Sequence, residues 1–518
     1  MSNETPGESP GKPAADASTI NERMAKGIVW MVGARLMDRS IGIVSTLILA
    51  RLLVPGDFGL VAMATAIGGI LDLLGAFSFD IALIQKTDAE PKHYNTVWTF
   101  NFIFGVTCGI AMILLAHPAA TFYREPRLVT VMYVLSISYF TGVFSNIGVI
   151  SFRKNLDFGS EFLLIFLKRI VTFAVTAVAA FMLRSYWALL IGMTTGRIVG
   201  TFLSYRMSSY RPWFTLSAAR ELFGFSKWML INNMLNFMLN SGCTFVIGRL
   251  FGVTALGIYA VSYEISSLPS TELVAPINRA TFPGFAKMAN LAEVASAYLK
   301  LFGMICLVIL PVGIGIAAVA ESVVLTILGT KWVTAIPLIQ ILAIHGAIAA
   351  TQGNNGSVWL ALGRPREMTG LVAVFLLILF PGLYLYMHAY GVVGAGFAYL
   401  TANLLTLPYA MSITRRLLKF SWGQLTAVIW RPLVSVIVMY ASVRLLHAQL
   451  DIAMPLLRLL IESAFGAIVY VALILLLWSS SSRPPGAETY CLERVRGALG
   501  GLRGKWRKLR MRHHPDPA

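Results

Sequence analysis

Residues 27–63 read GIVWMVGARLMDRSIGIVSTLILARLLVPGDFGLVAM. This stretch contains one apolar block, a short break carrying a proline and a glycine, and the start of a second block. A helix rises 1.5 Å per residue, so about twenty apolar residues cross the hydrocarbon core of a bilayer. Lipid offers no hydrogen bonds to the backbone, and a spanning block of this kind must therefore be a helix. Its middle is charged. Arg35, Asp38 and Arg39 lie three and four residues apart, hence on one face, and Gly42 continues that face one turn on. A charge at mid-bilayer costs about 2.5–3.5 kcal/mol on insertion scales, so these side chains are expected to turn toward a cavity or a partner.

The same block length recurs along the chain. Further spans are expected near 58–84, 94–116, 128–150, 161–183, 185–207, 223–248, 256–282, 298–320, 334–362, 367–388, 391–413, 426–446 and 455–478, which makes about fourteen with the first. Of 518 residues, 57% are hydrophobic and only 13% are charged. Mean hydropathy is +0.72. Soluble domains carry about twice that share of charge, so the expected class is an all-α polytopic membrane protein. Residues 1–24 are polar and rich in small residues, and are expected to be a disordered cytoplasmic tail with no signal-peptide cleavage site.

A net charge of +18 in a soluble chain would suggest nucleic acid. Here the cations gather in alternate loops, among them Lys86 and Lys92, Arg153 and Lys154, Arg206 and Arg211, Lys287 and Lys300, Arg364 and Arg366, and Arg415, Arg416 and Lys419. This is the asymmetry that orients membrane proteins, and it places both termini in the cytoplasm with no role for nucleic acid. Cys108, Cys243, Cys306 and Cys491 have no metal-ligand or CxxC spacing, so neither a metal nor a disulfide framework is expected. The segment 479–518 is basic. Its apolar residues Leu492, Val495, Leu499, Leu502, Trp506 and Leu509 alternate in steps of three and four, which predicts an amphipathic helix lying on anionic membrane lipids; its glycines leave a disordered basic tail as the alternative.

An internal repeat appears at an offset of 198 positions, from Arg51 to Arg249. Without a gap the offset also aligns Trp30 with Trp228, Met31 with Met229, Gly59 with Gly257 and Ala62 with Ala260. Duplication of this kind builds transporters from two lobes. The expected divisions are an N-lobe at 27–207 with six helices, a C-lobe at 221–413 with six more, and two added helices within 425–478.

No loop carries a catalytic signature such as GxSxG, a P-loop or HExxH, so function is sought inside the helices. The repeat places Asn233 under Arg35 and Asn236 under Asp38, within a stripe of Asn232, Asn233, Asn236 and Asn240. Acids sit at mid-depth in the second helix of each lobe, Asp72 and Asp80 in one and Glu264 and Glu272 in the other, where Pro269 and Pro276 invite kinks. Arg279 follows Glu272 two turns on, and Arg197 lies midway along the sixth helix beside a Gly192, Gly196, Gly200 face suited to close packing. Together these predict a cationic, water-filled central cavity. Other readings stand beside it: Lys168, Arg169 and Arg279 can reach the lipid interface, Arg35 can pair with Asp38, and the asparagines can simply bond between helices. His345 is expected to be a satisfied core residue.

The stretch RLLVPGDFGLVAM at 51–63, following a long first helix with Trp30, resembles the bacterial polysaccharide (Wzx-type) flippases of the multidrug/oligosaccharidyl-lipid/polysaccharide superfamily. KWVTAIP at 331–337 and LALGRP at 360–365 are similar to the same family. The resemblance implies a two-lobe bundle in the bacterial inner membrane that works by alternating access. Its implied substrate is an undecaprenyl-pyrophosphate-linked oligosaccharide, moved to the periplasmic leaflet for exopolysaccharide, capsule or O-antigen synthesis, with a polymerase and co-polymerase as partners. In that setting Arg35, Arg39, Arg197 and Arg279 are candidates to hold pyrophosphate, because a guanidinium binds phosphate through paired hydrogen bonds. Asp38 and the four asparagines would line the cavity. Asp72, Glu264 and Glu272 are candidates for coupling to a proton or sodium gradient or for pairing with the arginines. No cofactor is implied. A multidrug or lipid II exporter of the same fold, and a membrane-embedded polymerase or acyltransferase, are the competing functions.

Overall fold

The computed structural model describes residues 17–74, 83, 89–155, 157–274, 277–278, 281, 284–285, 287–288, 290–450, 452–481, 486–490 and 493; within the helices, the side chains of 17–29, 32, 74, 220–233, 235–236 and 240 are also outside the description. Among the described residues there is no strand. The long helices are α1 (Ala17–Leu52), α2 (Pro55–Leu74), α3 (Pro91–Tyr123), α4 (Arg127–Gly142), α5 (Phe158–Leu183), α6 (Trp187–Met207), α7 (Ala219–Leu268), α8 (Leu291–Ala318), α9 (Ile336–Ala361), α10 (Pro365–Tyr390), α11 (Val393–Leu418), α12 (Trp422–Gln449) and α13 (Pro455–Ser480).

Among the described residues the expected spans fall on helices, with differences that have local causes. α1 begins at Ala17, well before its apolar block, because Glu22, Arg23, Ala25 and Lys26 are good helix formers that carry the helix out of the bilayer. The fourth span bends by 69° between Arg127–Gly142 and Ile147–Lys154. At the bend Asn146 caps the new turn by accepting from the Gly148 backbone N–H at 2.9 Å. The seventh and eighth spans are the two helices of α7 on either side of Gly252, which breaks the element inside the gap expected between them and whose φ of 79° suits glycine. After α7 the chain turns into a π-helical segment, Pro269–Val274, where the sequence expected a proline kink. Ten helices are long and apolar enough to cross a membrane by composition, or eleven counting the bent pair, among the described residues. α1 and α11 stand outside that ten.

The helices cluster into two compact units, one of residues 1–53 and 64–237 and the other of 54–63 and 238–518. In the first unit α1 packs on α5, α5 on α6, α6 on α4 and α4 on α3. The α5–α6 pair packs closely. A Cβ at Gly192 would sit 2.0 Å from Thr176 Oγ1, one at Gly196 2.9 Å from Thr172 Oγ1, and one at Gly200 3.4 Å from Lys168 Cδ, so each step of four along α6 meets a step of four back along α5. Gly192→Leu is expected to force these helices apart and to leave little protein in the membrane fraction, whereas Gly200→Ala should be tolerated; quantitative immunoblotting of membranes compares the two.

In the second unit α8 packs on α9 and α12, α9 on α11, α10 on α11, and α12 on α13. Several of its buried polar groups are tied across helices. Tyr298 donates to Asn355 Oδ1 at 2.6 Å, Thr414 donates to the same oxygen at 3.2 Å, and Trp359 donates to Thr414 at 3.0 Å. His345 is buried and bonds through its Nδ1 and its carbonyl to Asn403, as a satisfied core histidine. A second cluster joins the end of α12 to the start of α13: His447 places Nδ1 2.7 Å from Oε1 of Glu462 and Nε2 3.0 Å from Oε2 of Glu321. Glu462 is fully buried and also accepts from Ser322 Oγ at 2.7 Å and Arg458 Nε at 3.2 Å. Outward-facing positions are apolar, with Met182, Leu377 and Ile468 each more than two-thirds exposed, a surface suited to lipid and not to water.

Candidate functional site

Helices α1 to α6 of the first unit contribute to one cavity of about 610 Å³. Its charged and hydroxyl-bearing lining is Asp38 from α1, Thr65 and Asp72 from α2, Ser138 and Tyr139 from α4, Lys168, Arg169 and Thr172 from α5, and Arg197 from α6. Two carboxylates thus face three cations. The remaining lining, including Ala64, Met112, Leu135, Leu164, Ile165 and Met193, is apolar.

The charges are arranged in two groups. Arg169 reaches from α5 to α1, with Nε 3.1 Å from Asp38 Oδ1 and Nη2 3.5 Å from the Asp38 carbonyl. It passes over Gly42, where a Cβ would stand 2.7 Å from Nη2, so the glycine on the charged face of α1 leaves room for an arginine from another helix. In the second group Asp72 and Tyr139 line the same part of the cavity, and Asp72 lies within electrostatic range of Arg197. Lys168 and Arg197 also feel one another's charge, a repulsion that an anion between them would relieve.

Of the sequence candidates, this arrangement brings together Asp38, Asp72 and Arg197. Asp38 pairs with Arg169 in place of its own helix neighbour Arg35, because α1 packs against α5 and presents Asp38 to it. Lys168 and Arg169, which the sequence also allowed to reach the lipid interface, line the cavity. Arg35 is exposed and Arg39 half-buried on the same helix, and neither is among the cavity's lining residues. Glu264 and Glu272 are half-buried in the second unit. Arg279, Asp80 and Pro276 lie outside the described residues, as do the side chains of Asn232, Asn233, Asn236 and Asn240 and nearly all of the basic tail. Tyr139 was not legible as a site residue, since a tyrosine in an uncharged apolar block carries no signal of its own.

A family model described as "Polysaccharide biosynthesis protein" matches residues 48–337, more than half of the chain. The chain belongs to that family. Its curated relatives include the lipopolysaccharide biosynthesis protein WzxC of Escherichia coli (strain K12), 24% identical over 83% of this chain and 90% of that one. The succinoglycan biosynthesis transport protein ExoT of Rhizobium meliloti (strain 1021) is 24% identical over 90% of this chain and 94% of its own. The teichuronic acid biosynthesis protein TuaB of Bacillus subtilis (strain 168) is 27% identical over 55% of this chain, a match that spans only 60% of TuaB. Among solved structures, a lipid II flippase MurJ in an inward closed conformation superposes with a TM-score of 0.69 at 11% identity, over 88% of this chain and all of that one. An inward-facing multidrug transporter of the MATE family gives 0.57 at 14% identity, over 76% and 99%. The protein is a multi-pass helical membrane protein with the fold that these two share.

Proposed function

We propose that this family member is a flippase that moves undecaprenyl-pyrophosphate-linked oligosaccharide units from the cytoplasmic to the periplasmic leaflet of the inner membrane, for exopolysaccharide, capsule or O-antigen synthesis. The observation that carries the reading is the cavity of the first unit, where three cations face two carboxylates within membrane-spanning helices. A net positive cavity among membrane-spanning helices favours an anionic guest. Pyrophosphate supplies that charge, and a cavity of this volume accommodates it with part of an attached sugar. The excess of cations also disfavours a cationic drug as the cargo.

In this reading Lys168 and Arg197 hold the phosphates, Arg169 is positioned by Asp38, and Arg35, Arg39 and Arg279 act elsewhere on the path. Alternating access exposes the substrate first to one side and then to the other. Asp72, with Glu264 and Glu272, is the candidate for coupling to a proton or sodium gradient. A polymerase and co-polymerase would receive the product, and the basic tail would rest on anionic lipids with both termini in the cytoplasm.

The test is deletion of the gene in its own host. Surface glycan should disappear, lipid-linked repeat units should accumulate on the cytoplasmic side, and the plasmid-borne chain should reverse both. Normal surface glycan in the deletion strain would refute the assignment.

A further inference from the structure

In the second unit the later part of α7 and the π-helical turn after it carry a line of hydroxyls. Tyr263, Ser266, Ser267, Ser270 and Thr271 stand at i, i+3, i+4, i+7 and i+8, the spacing of one helical face. They belong to an apolar stretch, Phe237–Val274, long enough to cross a membrane, where a polar stripe must face protein or a guest and not lipid. What it faces is α9. A Cβ at Gly346 would stand 2.6 Å from the Ser266 carbonyl oxygen, so that glycine lets the two elements touch, and beside the contact lies a cavity of about 200 Å³ lined by all five hydroxyl residues and by His345.

The hydroxyl protons of the stripe are already committed. Ser267 donates to the Glu264 carbonyl at 3.0 Å and Thr271 to the Ser267 carbonyl at 3.1 Å. Ser266 donates to the Ile339 carbonyl at 3.4 Å and Ser270 to the Gly346 carbonyl at 3.5 Å. A hydroxyl that donates keeps its lone pairs, so four acceptors remain on this wall. The Tyr263 hydroxyl bonds to none of the described residues. Among the described residues the lining holds no Asp, Glu, Lys or Arg, and His345 adds no charge, because its Nδ1 accepts from the Asn403 amide at 3.2 Å.

We propose that this cavity is a binding site for one neutral sugar ring of the transported glycan. The inference rests on the flippase reading above, and it leaves the phosphates to the charged cavity of the first unit. A phosphate finds no cation here, and a hydrocarbon tail would leave the acceptors without partners. A sugar brings several O–H donors to an acceptor wall, and the free Tyr263 hydroxyl can bond one of its oxygens. The volume corresponds to about six or seven waters at about 30 Å³ each, room for a single ring. A site that matches substrate hydroxyls in this way discriminates strongly against a substrate that lacks them, since its own polar groups then go unpaired.

The experiment separates sugar from phosphate. The full-length chain in lipid nanodiscs is titrated with two probes, lipid-linked repeat units extracted from the host and undecaprenyl pyrophosphate carrying no sugar. The parent should bind the glycosylated probe about tenfold or more tightly than the bare one. Tyr263→Phe combined with Ser267→Ala should erase that preference while leaving affinity for the bare probe unchanged, which also shows that the variant is folded. Ala349→Leu, which fills the cavity from the α9 side, should do the same. A preference that survives in both variants would overturn the proposal, as would equal affinity of the parent for the two probes. Variants that lose both probes together would assign these hydroxyls to the fold and not to a sugar. If the parent binds neither probe, the flippase reading itself falls and takes the sugar site with it.

Discussion

Arg197→Ala is expected to lower glycan export about ten- to a hundredfold while leaving the protein in the membrane at its normal level, the effect of removing one charge-assisted hydrogen bond of about 1.5–3 kcal/mol from a bound phosphate. Arg197 is exposed within the cavity, and its neighbour Gly196 faces Thr172 on α5, so truncation at 197 removes charge without loosening the α5–α6 contact. Lys168→Ala should act in the same direction, because Lys168 and Arg197 share the excess positive charge that makes the cavity receptive. Arg197→Lys should recover only part of the activity, since an ammonium keeps the charge but loses the planar fork that grips two phosphate oxygens. Surface glycan measured in complemented deletion strains, with immunoblots of the membranes, reads all three. Full complementation by both alanine variants would leave the cavity without a function.

Glu462→Ala has its effect on the fold. Glu462 is fully buried and meets Ser322, His447 and Arg458, and His447 in turn meets Glu321. Removing the central, fully buried carboxylate leaves Arg458 and His447 without their shared partner. Loss of one member of a buried ion cluster costs about 3–5 kcal/mol. The variant should therefore melt well below the parent in detergent, and Arg458→Ala, whose side chain reaches solvent, should have the milder effect. Replacing Glu462 and His447 together by leucine should restore part of the loss, because a well-packed apolar pair needs no counter-charge. Intrinsic tryptophan fluorescence during heating gives the comparison. Identical melting of Glu462→Ala and parent would show that the cluster contributes nothing net to the bundle.

Much of the fold could be read from residue order alone. Block length and the rule that lipid satisfies no backbone group are enough to call each span a helix, and among the described residues the expected spans are helical apart from local breaks. The breaks were legible too: Pro269 marked the π-helical segment, and Gly252, with its positive φ, falls in the gap expected between the seventh and eighth spans. The α5–α6 contact was legible because small residues at every fourth position can serve only one face.

The site was legible as a set of charges and not as an arrangement. Arg35, Asp38, Arg39, Asp72, Lys168, Arg169 and Arg197 all stand out because a charge in an apolar block is costly wherever it points. Which of them meet depends on how α1, α2, α4, α5 and α6 are rotated about their own axes. Those rotations are set by packing between side chains far apart in sequence, and so Arg169 took Asp38, Tyr139 joined Asp72, and Arg35 stayed outside. Sequence alone determined that this chain is a membrane helical bundle carrying buried charge, since both follow from the local transfer free energy of each block. Tertiary structure alone decided which charges share a cavity, because contacts between distant segments are a property of the packed bundle and of no single block.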